Sequence, residues 1–172
     1  EVLSSFSNER GTKVKEGTKV EKMLITGVTK DNNCARISIV GLEDVPGVSF
    51  RLFTLLGQNK INVDIILQSI GRDNKKDISF TVEEENLEKA VKLLEEAYPE
   101  NHISTNSEVS KVSVVGGGMQ SHAGVAAKMF EALYKAGINI HMISTSEIKI
   151  SVLIDRKDAD KAVEFIHDEF IK

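Results

Sequence analysis

Two turns carry the residues that could do chemistry. GLEDVPGV, residues 41–48, and GGGMQSHAGV, residues 116–125, each bring glycine to the point where a helix should begin. A helix start leaves about four N–H groups without intrahelical partners and carries roughly half a positive charge. It is therefore a seat for a carboxylate or a phosphate. Gly47 and Gly124 would let such a group approach the backbone closely. Glycine and proline also simply permit tight turns, and that plainer reading serves either turn taken alone. The turns recur, however, with Asn62 and Asn139 following at the same interval, which favours a shared binding role.

A free amino acid would satisfy both ends of such a site. Its carboxylate would take the N–H groups of Gly47 and Val48, or of Gly124 and Val125, while its ammonium met backbone carbonyls, Asn62 or Asp64. Asn62 and Asn139 are expected at the start of the strand after each helix, near the turn. Asp64 and Gln68 read equally well as a solvated strand face. Glu147, in ISTSEI, is either an ordinary turn residue or a counter-charge for a basic ligand side chain.

Catalytic chemistry finds less support. His102, His122, His141 and His167 lack the paired spacing of a metal site, and no metal centre is expected. Gly116 to Gly118 completes neither phosphate-loop pattern. No serine or cysteine stands in a nucleophile motif. Cys34 is the only cysteine, which excludes an internal disulfide and a thiolate zinc cluster and fits a reducing cytoplasm. It reads as a packing residue or an exposed bystander.

The elements that position these turns are duplicated. RISIVGLEDVPGVSFRLFTLLGQNKINVDII from Arg36 returns as KVSVVGGGMQSHAGVAAKMFEALYKAGINIHMI from Lys111. Ile37, Val40 and Gly41 answer to Val112, Val115 and Gly116, whereas Gly47, Phe53 and Asn62 answer to Gly124, Phe130 and Asn139, so the second turn holds two extra residues. Such self-similarity marks repeated structural units.

Within the first unit, Ala35, Ile37 and Ile39 alternate with polar residues as in a half-buried strand. Val48, Leu52, Leu55 and Leu56 then give a helical stripe behind Pro46. A strand is predicted over 61–70, a turn over 71–76, and a strand through Ile78, Phe80 and Val82. A helix carrying Leu87, Ala90, Val91 and Leu94 follows, then a strand over 103–109. The second unit has strands at 111–115, 139–144 and 148–154, with helical stripes Val125, Met129, Leu133, Ala136 and Ala159, Ala162, Val163, Ile166. The order βαββαβ is the ferredoxin-like arrangement of an α+β fold. The second unit lacks a fourth strand, and the unmatched candidate Met23 to Thr29 is expected to cross over and complete its sheet. The boundaries are then a linker or catalytic-domain tail over 1–22, a crossing strand over 23–30, module one over 31–110 and module two over 111–172.

Composition narrows the function classes. With 26 acidic and 22 basic residues the formal charge is −4, which argues against a nucleic-acid partner. RNA-recognition modules share the strand order but need stacking aromatics and a basic surface, and aromatics are 5% here with no tryptophan. No apolar run approaches the roughly 20 residues of a membrane helix. A module of about 70 residues is marginal alone, so paired packing or oligomerisation is expected.

GLEDVPGV followed by INVDIILQ resembles the amino-acid-binding ACT domain, and GGGMQSHAGVAAKMFEAL followed by INIHMISTSEIKISVLI resembles the second ACT domain of aspartate kinases. STSEIKISVLI is the most specific string, and SSFSNERGT is similar to the end of the catalytic domain in those enzymes. The resemblance implies feedback control of aspartate phosphorylation by ATP, the first step toward lysine, threonine and methionine, with lysine or threonine as effector. It implies a homodimer through ACT domains and a partner kinase domain or subunit. ATP and magnesium would belong to that partner, leaving this chain without cofactor and inactive alone. An ACT regulator of another amino-acid enzyme is the alternative. By similarity the effector contacts fall on Asp44, Gly47, Val48, Asn62, Val63, Asp64 and Gln68 in module one. In module two they fall on Met119, Ala123, Gly124, Val125, Asn139, Ile140, Ser144, Thr145 and Glu147. Module two has Ser121 and His122 where module one has its aspartate, so one module is expected to bind while the other supports it.

Overall fold

A computed structural model describes residues 25–117 and 124–171. Its elements in chain order are strands β1 (Gly27–Asp31) and β2 (Ala35–Glu43), helix α1 (Val48–Gln58), strands β3 (Val63–Gln68) and β4 (Lys75–Val82) and helix α2 (Leu87–Ala97). Strands β5 (His102–Asn106) and β6 (Val109–Val115), helix α3 (Val125–Lys135), strands β7 (Met142–Thr145) and β8 (Lys149–Asp155) and helix α4 (Ala159–Phe170) complete them. Two antiparallel four-stranded sheets result, ordered β3-β4-β2-β5 and β1-β6-β8-β7. The strand expected to cross over does so: Gly27 to Asp31 pair with Val115 to Lys111. Residues 23 and 24 of that expected strand lie outside the described residues.

Each sheet is covered on one face by two helices because the apolar periods agree. Ala35, Ile37 and Ile39 of β2 are buried at alternate positions, against Val48, Leu52 and Leu56 of α1 at every fourth. The second core repeats this with Val112 and Val114 under Val125, Met129 and Leu133. Both first helices end in the same way. Ile61 donates to the Leu56 carbonyl at 3.0 Å past a left-handed Lys60, and Ile138 to that of Leu133 at 2.9 Å past a left-handed Gly137. This cap uses up the residues where strands were expected at 61 and 139, so β3 and β7 begin two and three residues later. At the other hairpin, Asp73 and Asn74 hold φ 52° and 58°, the conformation a two-residue turn demands, and β4 accordingly starts earlier than expected, at Lys75. Val109, expected at the end of the fourth strand, instead opens β6, because the Glu108 N–H turns back to the Asn106 side chain at 2.9 Å.

The sheet faces without helices meet. Cys34 and Ile65 of the first module pack with Val109, Met142 and Leu153 of the second in a third buried cluster. Cys34 is therefore a packing residue. Around this cluster the seam is ionic. Arg156 donates to Glu84 at 2.9 Å and to the Ser107 carbonyl at 2.5 Å, tying module two to module one and to the connection between them. No helix among the described residues is long and apolar enough to cross a membrane.

Candidate functional site

A recess of about 430 Å3 opens at the start of α1, lined by Asp44, Val45, Pro46, Gly47, Val48, Ser49, Phe50, Gln68 and Lys76. Gly47 is the residue before the helix, with φ 91°, and no side chain caps the helix after it. The Val48 N–H makes only a long bond of 3.5 Å to the Val45 carbonyl, and those of Ser49 and Phe50 are left for an outside acceptor. The loop is pinned by the Asp44 N–H, which donates to the Asn74 carbonyl at 2.8 Å. The Asp44 carboxylate lies over Gly71, where a Cβ would collide with it, and meets the Lys76 ammonium at 3.0 Å. Ser49 donates its hydroxyl to Gln68 Oε1 at 3.1 Å, which leaves the Gln68 amide nitrogen free to donate.

Four of the expected contacts, Asp44, Gly47, Val48 and Gln68, thus surround one space. Asn62, Val63 and Asp64 do not join them. They line a separate pocket of about 210 Å3 with Asp31, Asn33, Cys34, Thr81, Val82, Glu83 and Lys111. The expectation that Asn62 lies near the turn is corrected by topology. β2 and β3 both pair antiparallel with β4, so they run parallel to one another. The first residues of β3 therefore sit beside the first residues of β2, a strand length away from the helix start. Asp64, moreover, is taken by Lys111.

Module two repeats the pattern. Gly124, with φ 102°, precedes α3, and again no side-chain hydrogen bond caps the helix at that residue. Ser144 and Thr145 end β7, and exposed Glu147 follows in a turn closed by the Ser146 N–H to the Lys149 carbonyl at 2.7 Å. The Gly116 N–H bonds the Ile148 carbonyl at 2.9 Å, which holds this turn beside the loop that leads to α3. Asn139 and Ile140 precede β7 at its far end, as Asn62 precedes β3. Met119 and Ala123 lie outside the described residues.

Two polar residues of the recess, Ser49 and Lys76, escape a reading by pattern, as does Gly71, which lies against Asp44 outside the lining. Lys76 had a signal. It is in phase with Ile78, Phe80 and Val82, so strand alternation points it inward with the core. Gly71 and Ser49 had none, since their importance arises from contacts made across the sheet edge.

The sequence profile of the ACT domain family matches residues 37–98 and 112–170, one match on each module. This chain belongs to the ACT domain family. Its two ACT modules are of the aspartate kinase type. The aspartokinase of Helicobacter pylori is 44% identical over 95% of this chain. The chain spans 42% of that relative's length. Among solved structures, the regulatory subunit of aspartate kinase from Thermus thermophilus, in its ligand-free form, superposes with a TM-score of 0.81 at 36% identity, over 86% of this chain and 99% of that one. A chain from a structure of aspartokinase alpha and beta subunits gives 0.80 at 42% identity, again over 86% and 99%. The tandem ACT fold of this chain is thus similar over most of its length to the fold of those two chains.

Proposed function

We propose that this chain is the amino-acid-sensing regulatory part of an aspartate kinase, and that lysine, threonine or both bind at the helix starts of its ACT modules. The uncapped N-terminus of α1, facing Asp44 and Gln68 across one recess, carries this reading. Its N–H groups suit the carboxylate of an amino acid, and its polar side chains suit the ammonium. The kinase chemistry itself, with ATP and aspartate, belongs to a catalytic domain or subunit that this chain would control. Control requires that the effector bind one arrangement of the assembly better than another. A coupling of about 1 to 3 kcal/mol gives roughly 5- to 150-fold regulation.

The assembly is a homodimer through ACT edges. Both β3 and β7 are edge strands, and the apolar side chains of Val45, Phe50, Ile66, Leu67 and Ile70 stand exposed around the module-one recess. Ile143 and Ile148 do so in module two. A second copy laid along these edges would cover them and close the recess. Calorimetric titration of the chain with lysine, threonine, methionine and their mixtures tests the reading, alongside sedimentation with and without each. Saturable heats that vanish in Gly47→Asp or Gly124→Asp are expected. Absence of heat with every amino acid would refute it.

A further inference from the structure

The strand exchange runs both ways. β1 opens the first repeat, β1 to α2, yet pairs with β6 of the second, and its equivalent β5, which opens the second repeat, pairs with β2 of the first. The exchanged strands keep one register: Asp31 stands opposite Lys111, and its equivalent Asn106 stands opposite Arg36, the equivalent of Lys111. The seam between the modules follows the same symmetry. β2 contacts β6 and β3 contacts β7, each element meeting its own counterpart. In the buried cluster Cys34 is matched by Val109 and Ile65 by Met142, and Cys34 Sγ lies 3.8 Å from the Val109 carbonyl oxygen. Contact between equivalent residues is the mark of a twofold axis, as in an isologous dimer. On that axis the two halves differ in charge. Glu84 and Arg156 hold equivalent places after β4 and β8, and they pair at 2.9 Å. Their backbone N–H groups also reach equivalent partners, the Asn33 side chain at 3.3 Å and the Glu108 carbonyl at 2.9 Å. Two copies of the first repeat would set Glu84 against Glu84. Two copies of the second would set Arg156 against Arg156 and leave Lys111 facing Asn106 and His141, the counterparts of its acidic partners Asp31 and Asp64.

We propose that each repeat is one protomer of a strand-exchanged dimer joined into a single chain, its seam surface built to receive a second repeat, and that Glu84 and Arg156 direct each repeat to the other rather than to its own kind. The link between the repeats, residues 98–101, carries exposed Pro99 and Glu100 and is not what holds the modules together. Cleaving the folded 172-residue chain at a protease site placed between Pro99 and Glu100 tests the first part. Both halves should stay in one particle by native mass, with the amides of both exchanged ladders still slow to exchange. Halves that separate on cleavage would overturn the proposal. Refolding the cleaved chain from urea should return the mixed pair about fivefold over self-pairs, and Arg156→Glu should erase that preference. In the uncut chain, Glu84→Arg and Arg156→Glu should each lower the melting temperature. The double variant should recover most of the loss, because the twofold sets the Asn32 and Cys34 carbonyls beside residue 84 as it sets those of Ser107 and Val109 beside Arg156. This comparison decides the matter if the halves do not refold. A preference unmoved by Arg156→Glu, or a double variant that melts no higher than the less stable single one, would overturn the selecting role of the pair.

Discussion

Lys111, two residues into β6, places its ammonium 2.5 Å from the carboxylate of Asp64 on β3 of the other module. The same ammonium lies 3.1 Å from Asp31, the last residue of the exchanged strand. One cation thus joins three segments that the sequence separates, and Asp64 is held by the protein itself.

The pH dependence of this junction follows with a definite sign. Burial pulls the Lys111 ammonium down, but Asp64 and Asp31 outweigh it and hold the group above the usual lysine range. Its contribution is fully present below about pH 10.5 and is lost as pH rises through the higher folded value. Burial pushes Asp31 up, yet the Asn33 N–H and Lys111 together hold it below the ordinary aspartate value. That contribution is present above about pH 4 and is lost as pH falls through the depressed folded value. Lys111→Met should cost roughly 1 kcal/mol at neutral pH, since its carboxylate partners are half exposed. It should also flatten both limbs of a plot of melting temperature against pH. Unchanged limbs would show that Lys111 does not couple the modules.

Gly47→Asp should abolish amino-acid binding to module one, by setting a negative side chain where the ligand carboxylate is received. Because Gly47 holds φ 91°, any side chain there also strains the backbone by about 1–2 kcal/mol. Gly47→Ala carries the strain without the charge. Calorimetry on both should show binding weakened in the alanine variant and absent in the aspartate one. Equal affinities in both variants and the parent would move the site elsewhere.

Gly71→Ala should weaken binding about tenfold with little loss of stability. Gly71 needs no left-handed conformation, but a Cβ there collides with the Asp44 carboxylate and forces it off Lys76. A melting temperature close to the parent, together with the weakened titration, is the expected pair of results. Full affinity would show that the position of Asp44 is immaterial.

Removing residues 1–31 should destabilise module two far more than module one. The deletion unpairs the β6 edge from Lys111 to Val115 and strips Ile25 and Val28 from the second core. A loss of roughly 3 kcal/mol or more is expected from the exposed apolar area alone. Hydrogen exchange should accelerate at 112–115 and 150–154 and stay slow at 37–39. Uniform acceleration across both sheets would mean that the modules unfold as one unit.

The sequence by itself determined what depends on local pattern. The duplicated alternation of Ile37 and Ile39, and of Val112 and Val114, dictates buried strands, and the stripes through Leu52 and Leu133 dictate covering helices. Gly47 and Gly124 mark helix starts that only a residue free to take positive φ can form. Even the exchanged strand was legible, because module two lacked a fourth strand and module one had one to spare. Only the tertiary structure decided which of the polar residues share a space. Parallel β2 and β3 put Gln68 beside α1 and carry Asn62 and Asp64 to the opposite end, and the turn at Asp73 and Asn74 brings Gly71 and Lys76 against Asp44. Periodicity tells a residue which face it occupies, whereas its neighbours across the sheet depend on register and strand direction, which are set by packing between distant segments.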